Sequence, residues 1–285
     1  MRCLFRTRPR SLRCVLLIAA LALLALAGAR SLRPVDVKTL FREARLRGQL
    51  IVGVPYLAPP LAAGAKVRTP ERLDRDIARR LGKSLGLPVA FRQVDAAHAQ
   101  ALLASAEVDL VLADQTAEEG DAVLSSGLKR VPTGYATRPQ AVIRGDTAMR
   151  RWPDVAGHTV CMSEAAVAAQ GLARRWGATV RIYRVPSDAL VAVRQGQCDL
   201  GLVDDTVRTT LMTYPEWKKY SATLPLEGSA VEHVWLLRGK PEAGWLAGEM
   251  RQWRGQGNWR KMTAQWSRDV AFDVYLDQSV PDCHG

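Results

Sequence analysis

Between Asp154 and Thr206, short apolar runs rich in β-favouring residues alternate with longer runs of helical period. The pattern predicts strands over Thr159–Met162, Thr179–Arg184 and Cys198–Val203, with helices over about Glu164–Trp176 and Ser187–Gln195. Ser187 is placed to cap the second helix, Leu190 and Val193 share its apolar face, and Gly196 stands where a left-handed C-terminal residue costs least. This is a βαβαβ unit. Its last strand, Leu200-Gly201-Leu202-Val203, is almost uniformly apolar, as a buried parallel strand is, and it ends in Asp204-Asp205. In open α/β sheets that edge is where ligands bind.

The same grammar precedes it. Val37, Leu40, Phe41 and Ala44 predict a helix within Val35–Arg47 closed by Gly48, and Gln49–Pro55 a strand. Tyr56 to Pro60 forms a loop. Thr69-Pro70-Glu71 reads as a helix start, Leu73, Ile77, Leu81 and Leu85 as its buried face, and Gly86 as its stop. Strand Val89–Val94, helix Ala96–Ser105 and strand Val108–Ala113 complete a second unit, and 114–137 reads as irregular because Gly120, Gly127, Pro132 and Gly134 interrupt any period. Arg138–Arg144 and Ala230–Leu237 read as two extended crossings between lobes. The helices expected over Glu242–Trp253 and Asn258–Asp269 place Trp245, Trp253, Trp259 and Trp266 against the first lobe, with Ala271–Gly285 as a loosely docked tail.

The fold class that follows is α/β with two lobes, each a mainly parallel sheet flanked by helices, joined by a two-segment hinge. Residues 30–140 with 234–285 make lobe 1, and 141–233 make lobe 2.

The amino terminus sets the compartment. Arg2, Arg6, Arg8, Arg10 and Arg13 precede an apolar run, Val15–Ala29, that ends in Ala27-Gly28-Ala29. A basic region, a short apolar core and an A-x-A site describe a cleaved secretory signal over residues 1–29, with an uncleaved anchor as the alternative. Ala29 stands where a lipidated cysteine would be, so a lipid anchor is not expected, and Cys3 and Cys14 would leave with the signal. In an oxidising compartment, Cys161 and Cys198 on neighbouring strands are expected to form a disulfide, closing a loop of about 36 residues and contributing roughly 3 to 4 kcal/mol. Cys283 is left as an odd thiol.

The formal net charge is +12, from 40 basic and 28 acidic residues. Loss of residues 1–29 removes five arginines and no acid, leaving 35 basic residues and a charge of +7. The paired arginines 79–80, 150–151 and 174–175 are dispersed and not interleaved with aromatics, which reads as solvated helix faces and excludes a nucleic-acid partner. His98, His158, His233 and His284 show no metal-ligand spacing and read as surface or packing residues. No phosphate loop, G-x-S-x-G or CxxC occurs, so no cofactor, metal or catalytic constellation is expected.

The stretches LRGQLIVGVPYLAPPL, RLDRDIARRLGKSLGLPVAFRQV, VDLVLADQT, DVAGHTVCMSEA, QGQCDLGLVDD and RQWRGQGNWRKMTAQW occur in the order found in a known family. The chain resembles the extracytoplasmic solute-binding proteins of polar amino-acid ABC transporters, with the type 2 periplasmic binding fold. The resemblance implies a monomeric periplasmic protein that closes on a small polar solute, an amino acid or amine, and presents it to an ABC permease in the inner membrane. It implies Asp204 as the ammonium-binding carboxylate, with capping of the helix that follows as the competing role. It places Tyr56, Thr116, Ala166 and Glu119 at the ligand and gives Asp76 a structural role.

Two positions depart from the family. Glu119 stands where an arginine usually grips the ligand carboxylate, and Ala166 and Val167 stand where a hydroxyl residue opens the second-lobe helix. A carboxylate there repels what a guanidinium would bind. Either the solute is cationic and lies between Glu119 and Asp204, or its carboxylate meets another arginine, Arg130 or Arg138. Other readings are a shifted alignment or a site that has lost its ligand. Two further classes stay open on the same fold: a cyclohexadienyl-dehydratase-like enzyme using Glu119 or Glu164, and an accessory or sensor binding protein with no transport role.

Overall fold

The computed structural model describes residues 36–69, 73–116, 127–227 and 230–277. The expected signal segment, Pro70-Glu71, Glu119, Cys283 and His284 lie outside the described residues. Residues 1–40 form one unit and 41–285 another. The first unit contributes a 3-10 turn, Val37–Thr39, with Asp36 accepting from the Lys38 N–H at 3.0 Å. No helix among the described residues is long and apolar enough to cross a membrane.

The second unit is built on two sheets. The first has the order β2-β1-β3-β9-β4, with β1 Leu50–Val54, β2 Val89–Gln93, β3 Leu110–Gln115, β4 Lys129–Thr137 and β9 Val231–Leu237. β1 runs parallel to β2 and β3, and β9 lies antiparallel between β3 and β4. The second has the order β5-β8-β6-β7, with β5 Pro139–Ile143, β6 Thr159–Ser163, β7 Thr179–Tyr183 and β8 Leu200–Asp204. β6 runs parallel to β7 and β8, and β5 is antiparallel to β8. Two mainly parallel sheets joined through β4–β5 and through the chain between β8 and β9 are the predicted architecture.

The helices are α1 Arg42–Arg47, α2 Asp74–Leu85, α3 Ala99–Ala104, α4 Val167–Arg175, α5 Pro186–Arg194, α6 Asp205–Leu211, α7 Lys240–Gly255 and α8 Asn258–Leu276. α2 buries Ile77, Ala78, Leu81 and Leu85 and stops at Gly86, whose φ of 68° is a left-handed conformation that glycine adopts at little steric cost. The first-sheet core includes Val94, Leu103, Val111, Val234 and Leu236, and the second Ile143, Trp152, Val160, Met162 and Leu200. Each such aliphatic side chain contributes about 1.5–3 kcal/mol on burial.

Several expectations need correction. Residues 129–137 are a strand, not an irregular stretch. Val131, Thr133, Tyr135 and Thr137 point inward at period two, and Pro132 is tolerated because β4 is an edge strand. The Gly134 φ of 87° falls within the register shift between Pro132 and Ala136. Ser187 does not cap α5, since Val185 holds the cap position, Pro186 opens the helix and Ser187 is buried. The helix expected over Val35–Arg47 is broken at Phe41, whose φ of 53° leaves α1 to begin at Arg42. The supposed loose tail is helical to Leu276.

The largest correction concerns α8. It packs on α5 and α6, the helices of the second sheet, as well as on α7. Ser267 is buried, with its Oγ 3.4 Å from the Thr206 carbonyl. Trp259 faces the first sheet instead, donating Nε1–H to the Thr133 carbonyl at 2.8 Å and stacking on Tyr135 with centroids 5.3 Å apart.

The predicted disulfide between Cys161 and Cys198 is present, with Cα atoms 5.9 Å apart. Cys161 is fully buried in β6 and Cys198 lies just before β8.

Candidate functional site

The carboxyl ends of β3, β6 and β8 supply Asp114, Ser163 and Asp204 to one cleft. Tyr135 and Thr137 reach it from β4, Pro139 from β5, and Val231 and His233 from the amino end of β9. Residues 165–169, at the start of α4, line it with small side chains, while Leu73 and Trp266 close it from the side of α2 and α8. The free volume within the cleft is about 70 Å³. A water needs about 10–15 Å³ and a pocket around a small molecule about 300–1,000 Å³, so this conformation admits a few waters only.

Antiparallel pairing explains the polar cluster on the first-sheet side. Asp114 of β3 stands directly opposite His233 of β9, so both project to one face. His233 Nδ1 lies 3.3 Å from Asp114 Oδ1 and 3.8 Å from Asp74 Oδ1 at the start of α2. The Tyr135 ring lies 4.8 Å from the His233 ring, and its hydroxyl is 3.1 Å from Thr206 Oγ1, a bond that ties the first sheet to α6.

Asp204 is the last residue of β8 and the N-cap position of α6, but its side chain makes no capping hydrogen bond. Capping of α6 is therefore not a role of this side chain. Ala166 is the N-cap of α4, also without a side-chain cap, and lies in the cleft wall.

The other predicted residues are placed differently. Tyr56 follows β1 and donates its hydroxyl to Glu164 Oε2 at 3.0 Å, away from that free volume. Thr116 follows β3 and is outside the lining. Arg138 sits between Thr137 and Pro139, both of which line the cleft, and alternation along the extended chain turns its own side chain elsewhere. Arg130 is committed to an ion pair with Glu232 and to Gln115 Oε1 at 3.1 Å. Neither arginine lines the cleft to receive a carboxylate.

Asp114, Tyr135, His233 and Trp266 are site residues that the sequence reading passed over or assigned to packing. Asp114 had a signal: it lies one residue from the end of its strand, as Asp204 lies at the end of β8. His233 had none, because its partners sit on elements far away in sequence. Among the described residues no group of three histidine, cysteine or carboxylate side chains is arranged to hold a metal.

No protein-family model matches the chain. A search of curated proteins finds no match either. Solved structures do match. A mutant of ArgBP from T. maritima aligns at a TM-score of 0.53 and 16% identity, over 79% of this chain and 97% of its own. An ancestral cationic amino acid solute binding protein, AncCDT-1, aligns at 0.52 and 18%, over 79% and 98%. A further AncCDT-1 structure, described as that of an ancestral amino acid-binding protein and precursor of cyclohexadienyl dehydratase, aligns at 0.51 and 19%, over 79% and 98%. Likeness at these identities establishes architecture, and the chain has the two-lobed α/β fold of these amino-acid-binding proteins.

Proposed function

We propose that this is a binding protein for a small solute bearing an ammonium or guanidinium group, held between the two sheets. One observation carries the reading: the carboxyl ends of β3 and β8 bring the carboxylates of Asp114 and Asp204 into the lining of one cleft. A carboxylate facing a cation makes a charge-assisted hydrogen bond, stronger than a neutral one. The first turn of α4, with its partial positive charge, is suited to the carboxylate of an amino acid. The ancestral structure described as a cationic amino acid binder supports the same class. A free volume of about 70 Å³ is small for such a solute, and on this reading the sheets separate to admit it and close again. A periplasmic location and delivery to an ABC permease complete the proposal, resting on the signal-like amino terminus and the fold.

Calorimetric titration with L-arginine, L-lysine, putrescine and L-glutamate tests it. Saturable binding of at least one cation, lost in Asp204→Asn, is the expected result. Binding of glutamate alone would refute it.

The facing of Asp114 and His233 favours a second reading, an acid–base enzyme on the same fold. A prephenate-like substrate carries two carboxylates and would meet two more in the cleft. Turnover of prephenate that disappears in His233→Gln would establish the enzyme in place of the binding protein.

A further inference from the structure

A second cavity, of about 460 Å³, lies between α2 and α8. It is open to solvent along the side that carries the exposed Arg79, Arg80 and Lys261. Leu73, Met262 and Trp266 give it an apolar floor, and Arg79, Arg80 and Lys261 are its cations. Two carboxylates, Asp76 and Asp269, also line it. Asp76 lies 3.8 Å from Arg79, and Asp269 accepts a hydrogen bond from Gln265 at 2.6 Å. Among the described residues no ion pair engages Arg80 or Lys261; the Arg80 guanidinium instead lies 5.8 Å from the Trp253 ring centre. Among the described lining residues the cations therefore outnumber the carboxylates by one. The imbalance is concentrated on two side chains that come from different helices.

We propose that this cavity binds a small monoanion with a flat apolar body, an aromatic carboxylate in chemical class. The ring would lie on Met262 and Trp266, and the carboxylate would meet Arg80 and Lys261. A guanidinium offers a planar pair of donors to a carboxylate and an ammonium offers a mobile point charge, so the two hold an anion without demanding one exact pose. The inner cleft is the opposite in sign, with carboxylates and no lysine or arginine in its described lining. On the function proposed above, a cleft for cations and a groove for anions would then lie side by side. Leu73 and Trp266 line both and form the shared wall. A ligand resting on Trp266 is in contact with the residue that narrows the inner cleft, which makes the outer cavity a place from which cleft opening can be biased.

The test is calorimetric titration of the intact protein at low salt with 2-naphthoate, with 2-naphthamide as the uncharged analogue. Expected are saturable binding of one naphthoate, at least tenfold weaker binding of the amide, and at least tenfold weaker naphthoate binding by Arg80→Gln/Lys261→Gln. Asp204→Asn, which alters only the inner cleft, should change naphthoate affinity less than twofold, whatever it does to cationic solutes. Should the double variant fold poorly, Lys261→Gln alone, at an exposed position, should weaken naphthoate at least threefold. The Trp266 indole N–H resonance, assigned with Trp266→Phe, should shift on titration. Absence of saturable binding, equal affinity for the amide, indifference to Lys261→Gln, or loss of naphthoate binding in Asp204→Asn would each overturn the proposal.

Discussion

The Tyr56 hydroxyl donates to Glu164 at 3.0 Å, joining the loop after β1 to the end of β6 and so spanning the two sheets. Nearby, Arg68 Nε donates to Asp188 at 3.0 Å, and Arg184 donates to the Pro59 carbonyl at 2.8 Å. The segment from Tyr56 to Arg68 is thus fastened to the second sheet at three points. Its Lys66 and Arg68 also form ion pairs with Asp277, beyond the end of α8.

Opening the cleft has to break these ties. An exposed hydrogen bond contributes about 0.5–1.5 kcal/mol and a surface ion pair about 0–1 kcal/mol. Combining Tyr56→Phe with Asp188→Asn should accelerate solute association by several-fold, up to about tenfold, through a larger open population. Stopped-flow fluorescence with a cationic solute measures it. Unchanged association would mean that these two contacts do not gate entry.

Asp204→Asn separates binding from stability. Its carboxylate makes no capping bond, so the loss of affinity for a cationic solute should exceed, on the same free-energy scale, any loss of stability. A hydrogen bond to a charged group contributes about 1.5–3 kcal/mol, so affinity for a cationic solute should fall roughly ten- to 150-fold. A large fall in stability with unaltered affinity would return Asp204 to a purely structural role.

How far such residues could be read in advance depended on the range of the interaction that positions them. Asp204, the Gly86 stop and the Cys161–Cys198 pair follow from local period, turn chemistry and adjacency within one βαβ unit, and all were legible. β4 was locally legible too, but the breakers Pro132 and Gly134 obscured the alternation of Val131, Thr133, Tyr135 and Thr137. An edge strand tolerates both. His233 was not legible, because only the pairing of β9 with β3 sets it against Asp114. Nor was Trp266, since the period of a helix marks its apolar face without naming the element that covers it.

The disulfide is expected to act mainly on the unfolded chain. It spans 37 positions and joins β6 to the start of β8, which are already paired. The loop-entropy relation assigns it about 3 to 4 kcal/mol. Reduction, or Cys161→Ser/Cys198→Ser, should lower unfolding free energy by about that amount, the serines adding a burial cost that reduction does not. Urea titration with and without reductant measures it. An identical midpoint in both would show that the bond does not restrain the unfolded ensemble.

Asp154 gives the turn before β6 a pH signature. It accepts from the backbone N–H of Arg150 at 3.0 Å and of Arg151 at 2.9 Å, closing the turn Trp152–Val155 that carries buried Trp152. These backbone bonds, the larger cause, with the Arg151 charge beside them, hold its carboxyl below the usual carboxylate value. A depressed folded pKa contributes stability above the unfolded value, about 3.9, and loses it as pH falls through the folded value. Asp154→Asn should therefore be less stable than the parent at neutral pH, and the gap should shrink only as the pH drops below about 4. Thermal melts at half-unit pH steps read it directly. A gap that stays constant into strong acid would mean that the turn is held by the shape of the side chain and not by its charge.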